Sequence, residues 1–311
     1  MLRLAHRILS QEQPFLTDRG TEEVLMPIWR SAKRNLPRVP LIIADNVAVF
    51  ENDKRRDAGS REDAMLLRDY PPSPPAFSQF FIEWQSPETT FCYEKTYARS
   101  EIGLLQAGCF VTTSQVETDF KPIFDHTNED IEKTHWQFIS YGFVTLTNGL
   151  VAPFSISEWL LDSGGCFISD RSLPVQQNAK ILGGGNPLDA ITQSTLAFMQ
   201  CKNVTKLDVT KEEGPSPKWC RRQRLPELKY HALLIDPNLG NSKHGERKTV
   251  GDRSGKALHI CRGHYAHFVD DGVSKGLFGR GQFGWFWKPS CSRGSPDNGK
   301  VISTYEVKTP A

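Results

Sequence analysis

Apolar positions recur along the chain in two rhythms. In residues 21–35 they return every three or four places: Val24, Leu25, Ile28, Trp29 and Ala32 fall on one stripe, and Thr21 followed by Glu22 and Glu23 suits a helix start. Residues 188–200 repeat the pattern, with Leu188, Ile191, Thr195, Phe198 and Met199 on one side. Elsewhere the runs are short and rich in β-branched or aromatic residues. Residues 39–50 (VPLIIADNVAVF) and 77–84 (FSQFFIEW) each predict a strand. The clearest hairpin lies between His135 and Phe154. Two apolar runs meet there at Thr147-Asn148-Gly149, and the Asn-Gly pair supplies the positive φ of a tight primed turn. Farther on, residues 228–236, 258–269, 283–287 and 301–307 read as strands parted by Gly-rich turns, with no helix between them.

Two stretches break these rhythms. Residues 51–75 begin with a charged run and end in Pro-Pro-Ser-Pro-Pro, which favours polyproline II. That serves as an internal spacer leading into a strand or, alternatively, as an SH3-type ligand. Residues 210–227 (TKEEGPSPKWCRRQRLPE) combine prolines and dense charge without an apolar period, which is linker chemistry. The expected fold is therefore α+β. A mixed, strand-rich N-terminal body spans 1–209, a basic Pro-containing linker 210–227, and a basic antiparallel β-meander module 228–311.

Composition narrows the class. Of 311 residues, 38% are hydrophobic and 24% charged, which excludes wholesale disorder and a collagen-like fibre. Seven cysteines, an odd number thinly spread, argue against a secreted disulfide framework. No run approaches the ~18 apolar residues of a membrane helix, and the apolar stretch at the N-terminus is too short for a signal peptide. A reduced, soluble, cytoplasmic protein with no membrane attachment is expected. The net charge of +2 conceals a division: residues 201–311 hold 20 Lys+Arg against 11 Asp+Glu (+9), and residues 1–200 hold 18 against 25 (−7). A basic half suits an anionic partner, or equally a face that docks on the acidic half.

The candidate chemistry lies in that basic half. In His259-Ile260-Cys261-Arg262-Gly263-His264-Tyr265-Ala266-His267, strand alternation puts Arg262 and His264 on one face and Cys261, Tyr265 and His267 on the other. Arg262 with His264 makes either a phosphate clamp or a cross-strand ion pair on a solvated face. Cys261, His264 and His267 have a C-x2-H-x2-H spacing, but a second short ligand cluster is missing and extended geometry turns Cys261 away from His264. The formal G-x-G-x-x-G at 279–284 runs into Trp285-Phe286-Trp287 instead of a helix, so it reads as a turn. Phe283, Trp285 and Trp287 share a strand face beside Arg280, Lys288 and Arg293. Such a face stacks bases and neutralises phosphates, or serves as a core strand with a basic rim. Arg221, Arg222 and Arg224 form a further basic run, either phosphate-binding or merely solvated. No nucleophile elbow, H-E-x-x-H, Walker A or C-x-x-C motif occurs, so neither cofactor nor metal is expected.

Several segments together carry a resemblance: FFIEW at 80–84, MQCKNV at 199–204, RRQRLP running into KYHALLI at 229–235, then ALHICRGHYAHF, GLFGRGQFGWFWKPSCSRG and VISTYEV. With the Arg-Gly-His triplet and the closing Trp-x-x-Pro and Arg-Gly, the chain resembles an uncharacterised family encoded by bacteriophages, prophages and other bacterial mobile elements. That resemblance implies a phage or prophage setting inside a bacterial host and no established activity. The leading expectation is nucleic-acid binding through Arg262, His264, Arg280, Trp285, Trp287, Arg293, Arg221, Arg222 and Arg224. Two alternatives stay open. One is a protein–protein interaction factor that docks on a host protein, as a takeover protein or an inhibitor. The other is a metal-independent ribonuclease-like activity, with His264 as general acid or base and Arg262 stabilising the phosphorane. The pattern specifies no oligomeric state.

Overall fold

Three consecutive apolar residues without alternation call for a strand covered on both faces. In the computed structural model of the chain, Leu41, Ile42 and Ile43 form such a strand, and all three are buried. The structure describes residues 2–14, 22–48, 71–85, 104–117, 120–146, 149–174, 187–235, 257–261, 264–279, 281–288, 291–293 and 295–300. Eight strands make one sheet: β1 (Leu41–Ile43), β2 (Gln79–Gln85), β3 (Leu104–Gln115), β4 (Trp136–Leu146), β5 (Val151–Leu161), β6 (Phe167–Pro174), β7 (Val204–Asp208) and β8 (Tyr230–Ile235). Their spatial order is β6-β5-β4-β3-β2-β1-β8-β7. Strands β2 to β6 pair successively and antiparallel, whereas β1 runs parallel to both β2 and β8.

Among the described residues the strands are accompanied by helices α1 (Leu4–Ser10), α2 (Glu22–Asn35), α3 (Asn128–Lys133), α4 (Pro187–Gln200), α5 (Thr210–Glu213) and α6 (Pro217–Gln223). The α2 stripe buries Leu25, Trp29 and Ala32. Together with Leu4, Ala5, Ile8 and Leu9 of α1, Trp29 and Ala32 cover the sheet face that carries Leu41, Phe81, Phe110, Phe143 and Tyr230. The opposite face carries Cys109, Gly142 and Ser157, and α4 lies there, with Asp189 accepting a 2.7 Å hydrogen bond from Ser157. Helix α4 is buried over most of its circumference, its polar Thr192, Gln193, Ser194 and Thr195 included. A Cβ at Gly142 would stand 2.7 Å from Leu188 Cδ1 and 2.5 Å from Ser155 Oγ, so that glycine sets how closely α4 approaches.

The α+β class and its C-terminal antiparallel strand pairing are as expected, and the 135–154 hairpin is β4–β5 with Gly149 at φ 82°. Three details differ. The strand expected over 39–50 ends at Ile43, and residues 45–48 take a helical turn in which Ala48 N–H bonds to Ala44 C=O. Of the 51–75 stretch only 71–75 is described, and it is held in place: Ser73 is buried and its N–H donates to Gly165 C=O at 2.8 Å. The stretch expected as a linker, 210–227, holds α5 and α6. Ser216 caps α6 by accepting from Trp219 N–H, and Pro217 occupies its first position. Two compact units result, Met1–Gln200 with Thr205–Leu234, and Cys201–Val204 with Ile235–Ala311. Strand β8, expected in the C-terminal module, thus belongs largely to the first unit. Among the described residues no helix is long and apolar enough to cross a membrane.

A buried charge fastens the first unit. Arg3, 3% exposed, pairs with Asp45 (Nη2–Oδ2 2.9 Å) and with Glu213 (Nε–Oε2 2.9 Å), and its Nε lies 3.9 Å from Glu83 Oε1. Burial alone would lower the Arg3 guanidinium, but the hydrogen bonds and charges of these carboxylates outweigh it and hold it above its usual range. Glu83 is buried, accepts Ala5 N–H at 2.8 Å, and leaves Oε1 without a hydrogen-bond partner among the described residues. Desolvation pushes its carboxyl up to about 7, against the opposing pull of Ala5 N–H and Arg3. Beside it His6 meets the Tyr230 hydroxyl at 2.7 Å, and burial lowers the imidazole to about 4.

Two predictions follow from this packing. Gly142→Ala costs about 1–3 kcal/mol of stability by overpacking, outweighing the roughly 0.4–1 kcal/mol gained by stiffening the unfolded chain; urea midpoints measure it. For Glu83, a folded value near 7 against 4.5 in the unfolded chain means that the native state holds the proton more tightly. Ionising it therefore removes stability as the pH rises from about 4.5 to about 7. Glu83→Gln does not titrate, so its urea midpoint relative to wild type climbs across that window. His6 pulls the other way but is common to both proteins and cancels.

Candidate nucleic-acid interface

The second unit contributes β9 (Ala257–Cys261), β10 (His264–Phe268), β11 (Gly284–Lys288), β12 (Cys291–Arg293) and β13 (Ser295–Lys300). The single strand expected over 258–269 is two. Strand β9 pairs with β12 antiparallel and with β13 parallel, whereas β10 pairs with β11 in a sheet of its own. Strands β9 and β10 thus lie in different sheets, and Arg262 and Gly263 between them lie outside the described residues.

Between β10 and β11 the chain turns tightly on glycines. Gly276, Gly279, Gly281 and Gly284 have positive φ, and a Cβ at Gly276 would stand 2.7 Å from both the N and the O of Gln282. Leu277 N–H bonds to Gln282 C=O at 2.8 Å and Gly281 N–H to Lys275 C=O at 2.9 Å, which closes the loop. The G-x-G-x-x-G string is thus a turn that delivers Trp285 to β11. Asp271 accepts the N–H groups of Ser274 and Val273, and those bonds hold its carboxyl below the usual range.

Register then fixes the faces. Tyr265 lies opposite Trp287 and His267 opposite Trp285, so four rings share one side of the hairpin. His267 stacks on Trp285 with centroids 4.6 Å apart and planes 15° from parallel; Tyr265 meets Trp287 edge-on at 4.9 Å. Trp287 is buried, Tyr265 and Trp285 are half-buried, and His267 is exposed. The other side carries His264, Phe268, Phe286 and Lys288, with Lys288 Nζ 4.7 Å above the Phe268 ring.

A short segment of the same unit flanks β11. Lys202 N–H donates to Trp285 C=O at 2.9 Å. The buried Asn203 side chain brackets Trp287, donating to its C=O at 2.8 Å and accepting from its N–H at 2.9 Å. Lys202, Gly281, Gln282, Phe283 and Phe286 line an open hollow of about 520 Å³. The MQCKNV and GWFWKP segments quoted above therefore meet in space at Asn203 and Trp287.

Of the residues expected to act together, Trp285 and Trp287 share a face, and His264 lies on the opposite one. Arg221, Arg222 and Arg224 are exposed on and just after α6, in the first unit, because 210–227 folds there. Arg262 and Arg280 lie outside the described residues, as does the Arg293 side chain, although Arg293 itself is in β12. His267 and Lys202 were not among the expected binding residues. His267 was visible through alternation with Tyr265, but its stacking on Trp285 needs the register of β10 against β11. Lys202 carries no local signal. No protein-family model, curated protein or solved structure matches the chain.

Asn203 supplies both bonds that tie Trp287 to the flanking segment. Asn203→Ala leaves the Trp287 N–H and C=O without them, at a cost of about 1–3 kcal/mol. Hydrogen exchange reads this as lost protection at the Trp287 amide.

Proposed function

We propose that the chain binds single-stranded nucleic acid through the aromatic face of the β10–β11 hairpin, in the cytoplasm of a bacterial host and in the phage or prophage setting that the resemblance implies. The stacked His267–Trp285 pair carries this reading. It is a planar ring surface, open at His267, on which a base stacks without regard to sequence. Lys202 and Lys275 are exposed in the same unit and supply charge for phosphates, whereas Lys288 lies on the opposite face with its ammonium over the Phe268 ring. The stacking groups are thus His267 and Trp285, with Trp287 and Tyr265 beneath them as support. A ribonuclease would pair a second proton-transfer group with His264, and the nearby histidine, His267, lies on the other face. Binding without cleavage fits this arrangement better.

Fluorescence anisotropy of the full chain with a labelled oligo-dT or oligo-U strand tests the proposal. If Lys202 and Lys275 each neutralise one phosphate, the log–log salt slope is about −1.4, and affinity falls about 7-fold from 50 to 200 mM salt. Trp285→Ala loses about 1–3 kcal/mol, which is about 5- to 150-fold. Lys275→Gln flattens the slope by about 0.7. No binding at low salt, or an affinity indifferent to Trp285→Ala, sinks the reading.

A further inference from the structure

At the β6 end of the eight-stranded sheet, in the first unit and independent of the hairpin, three side chains from distant parts of the sequence form a chain of hydrogen bonds. Glu158 on β5 is fully buried, and the His126 side chain is likewise withdrawn from solvent. Glu158 Oε1 accepts Ile123 N–H at 2.9 Å and Gln137 Nε2 at 2.5 Å; Oε2 accepts Phe124 N–H at 3.0 Å and faces His126 Nε2 at 3.0 Å. His126 Nδ1 lies 3.0 Å from Ser169 Oγ on β6. Ser169 is half-buried, and β6 is the outermost strand on that side.

Counting donors places the protons. Both Glu158 oxygens already face N–H groups, so the ring nitrogen turned toward them is the one that carries hydrogen. A neutral imidazole then offers a lone pair at Nδ1, and the Ser169 hydroxyl donates to it. A hydroxyl on a base, with the base held by a buried carboxylate, is the arrangement that activates a serine nucleophile. A surface histidine does not need this support. Here three donors besides the ring, two of them backbone amides of the 120–127 segment, hold the carboxylate that orients it.

From this we infer that Ser169 is a nucleophile, with His126 as its general base and Glu158 as the residue that positions His126, and that the site acts on acyl esters reaching the β6 end of the sheet. Ser169 Oγ attacks the ester carbonyl carbon while its proton passes to His126 Nδ1. Collapse of the tetrahedral intermediate breaks the bond to the alkoxide, which takes that proton and leaves as the alcohol. Water, deprotonated in turn by Nδ1, attacks the acyl-serine. The carboxylic acid departs and Ser169 Oγ recovers its proton. Arg171 lies two residues along the same face of β6, about 6.6 Å away at strand spacing. Its Nε and Nη1 bond to the carbonyls of Asp125 and Asp170, which leaves Nη2 to meet the developing oxyanion.

The test is covalent. The full chain is incubated with a fluorophosphonate reporter, in which the serine oxygen displaces fluoride, and the adduct is located by peptide mass spectrometry. The expected result is one adduct, on Ser169. It disappears in Ser169→Ala, which keeps the His126–Glu158 bond and lowers the thermal midpoint only by what the unpartnered Nδ1 costs. His126→Gln slows labelling by at least about 100-fold, the share of a general base. In Glu158→Gln the downfield imidazole N–H resonance is lost together with the labelling rate, whereas Ser169→Ala keeps the resonance. A wild-type chain that takes no label, or takes it elsewhere, overturns the inference. Labelling that survives Ser169→Ala does the same. Should His126→Gln fail to fold, the comparison of wild type with Ser169→Ala decides alone.

Discussion

A guanidinium withdrawn from water has to be met by acceptors, and in this chain Arg3 recruits them from three separate places. Asp45 follows β1, Glu83 is on β2, and Glu213 ends α5, 210 residues from Arg3 in sequence. Because Asp45 and Glu213 are about a third exposed and any one loss leaves Arg3 two other carboxylates, removing one partner costs less than the roughly 3–5 kcal/mol of breaking a fully buried pair. The cluster therefore holds α1 against the parallel strands and fastens 210–227 to the same unit. The fate of the basic run follows from it. With Glu213 held by Arg3 and Cys220 buried 3.9 Å from His6, α6 is folded onto the first unit, and Arg221, Arg222 and Arg224 are part of that unit's surface.

The large sheet shows a second constraint, that polar groups inside it are matched pair by pair. Ser157 meets Asp189 on the α4 side. Gln137 and Glu158 meet on the other, where Gln137 also takes a hydrogen bond from Ser114. A one-residue slip of β5 against β4 would turn Glu158 toward α4 and strand four donors. Hydrophobic burial alone tolerates near-equivalent registers where both faces are apolar; these pairs do not. The His126 arrangement grows out of the same economy, since the amides of Ile123 and Phe124 that fix the connecting segment also hold the carboxylate that orients the ring.

How far the sequence discloses this architecture depends on the range of the signal. Helices α2 and α4 and the β4–β5 hairpin are written in local periodicity and in Asn148-Gly149, so they are legible. The 39–50 stretch misleads because its apolar residues continue past Ile43, while Asp45 is claimed by Arg3 and by Gln85 N–H. Residues 210–227 mislead because proline and charge suggest a linker, although Ser216-Pro217 is also a helix start. At the candidate interface, alternation alone places Trp285 and Trp287 on one face. That His267 joins them while His264 does not is a matter of cross-strand register, set by a glycine loop whose closure depends on Gln282 and Lys275. Arg3 with Glu213, or His126 with Ser169, has no local trace at all.

Moving the boundary also redistributes the charge on which an anionic partner depends. Thr205–Leu234 carries seven of the 20 basic residues beyond position 200 and four of the 11 acidic ones. The second unit keeps 13 against 7, a net +6, and the first is left with −4. The asymmetry therefore survives without the arginine run that seemed to be its densest part. A diffuse surplus of this size attracts a polyanion and sets the salt dependence of its binding, but it gives no position to a base. Position comes from rings held rigidly at stacking distance. Asn203, by fixing Trp287 through both of its backbone groups, steadies the strand that presents Trp285 to His267. In the binding we propose, charge governs approach and the register of two short strands governs placement, so that proposal rests on the aromatic face and not on the arginines.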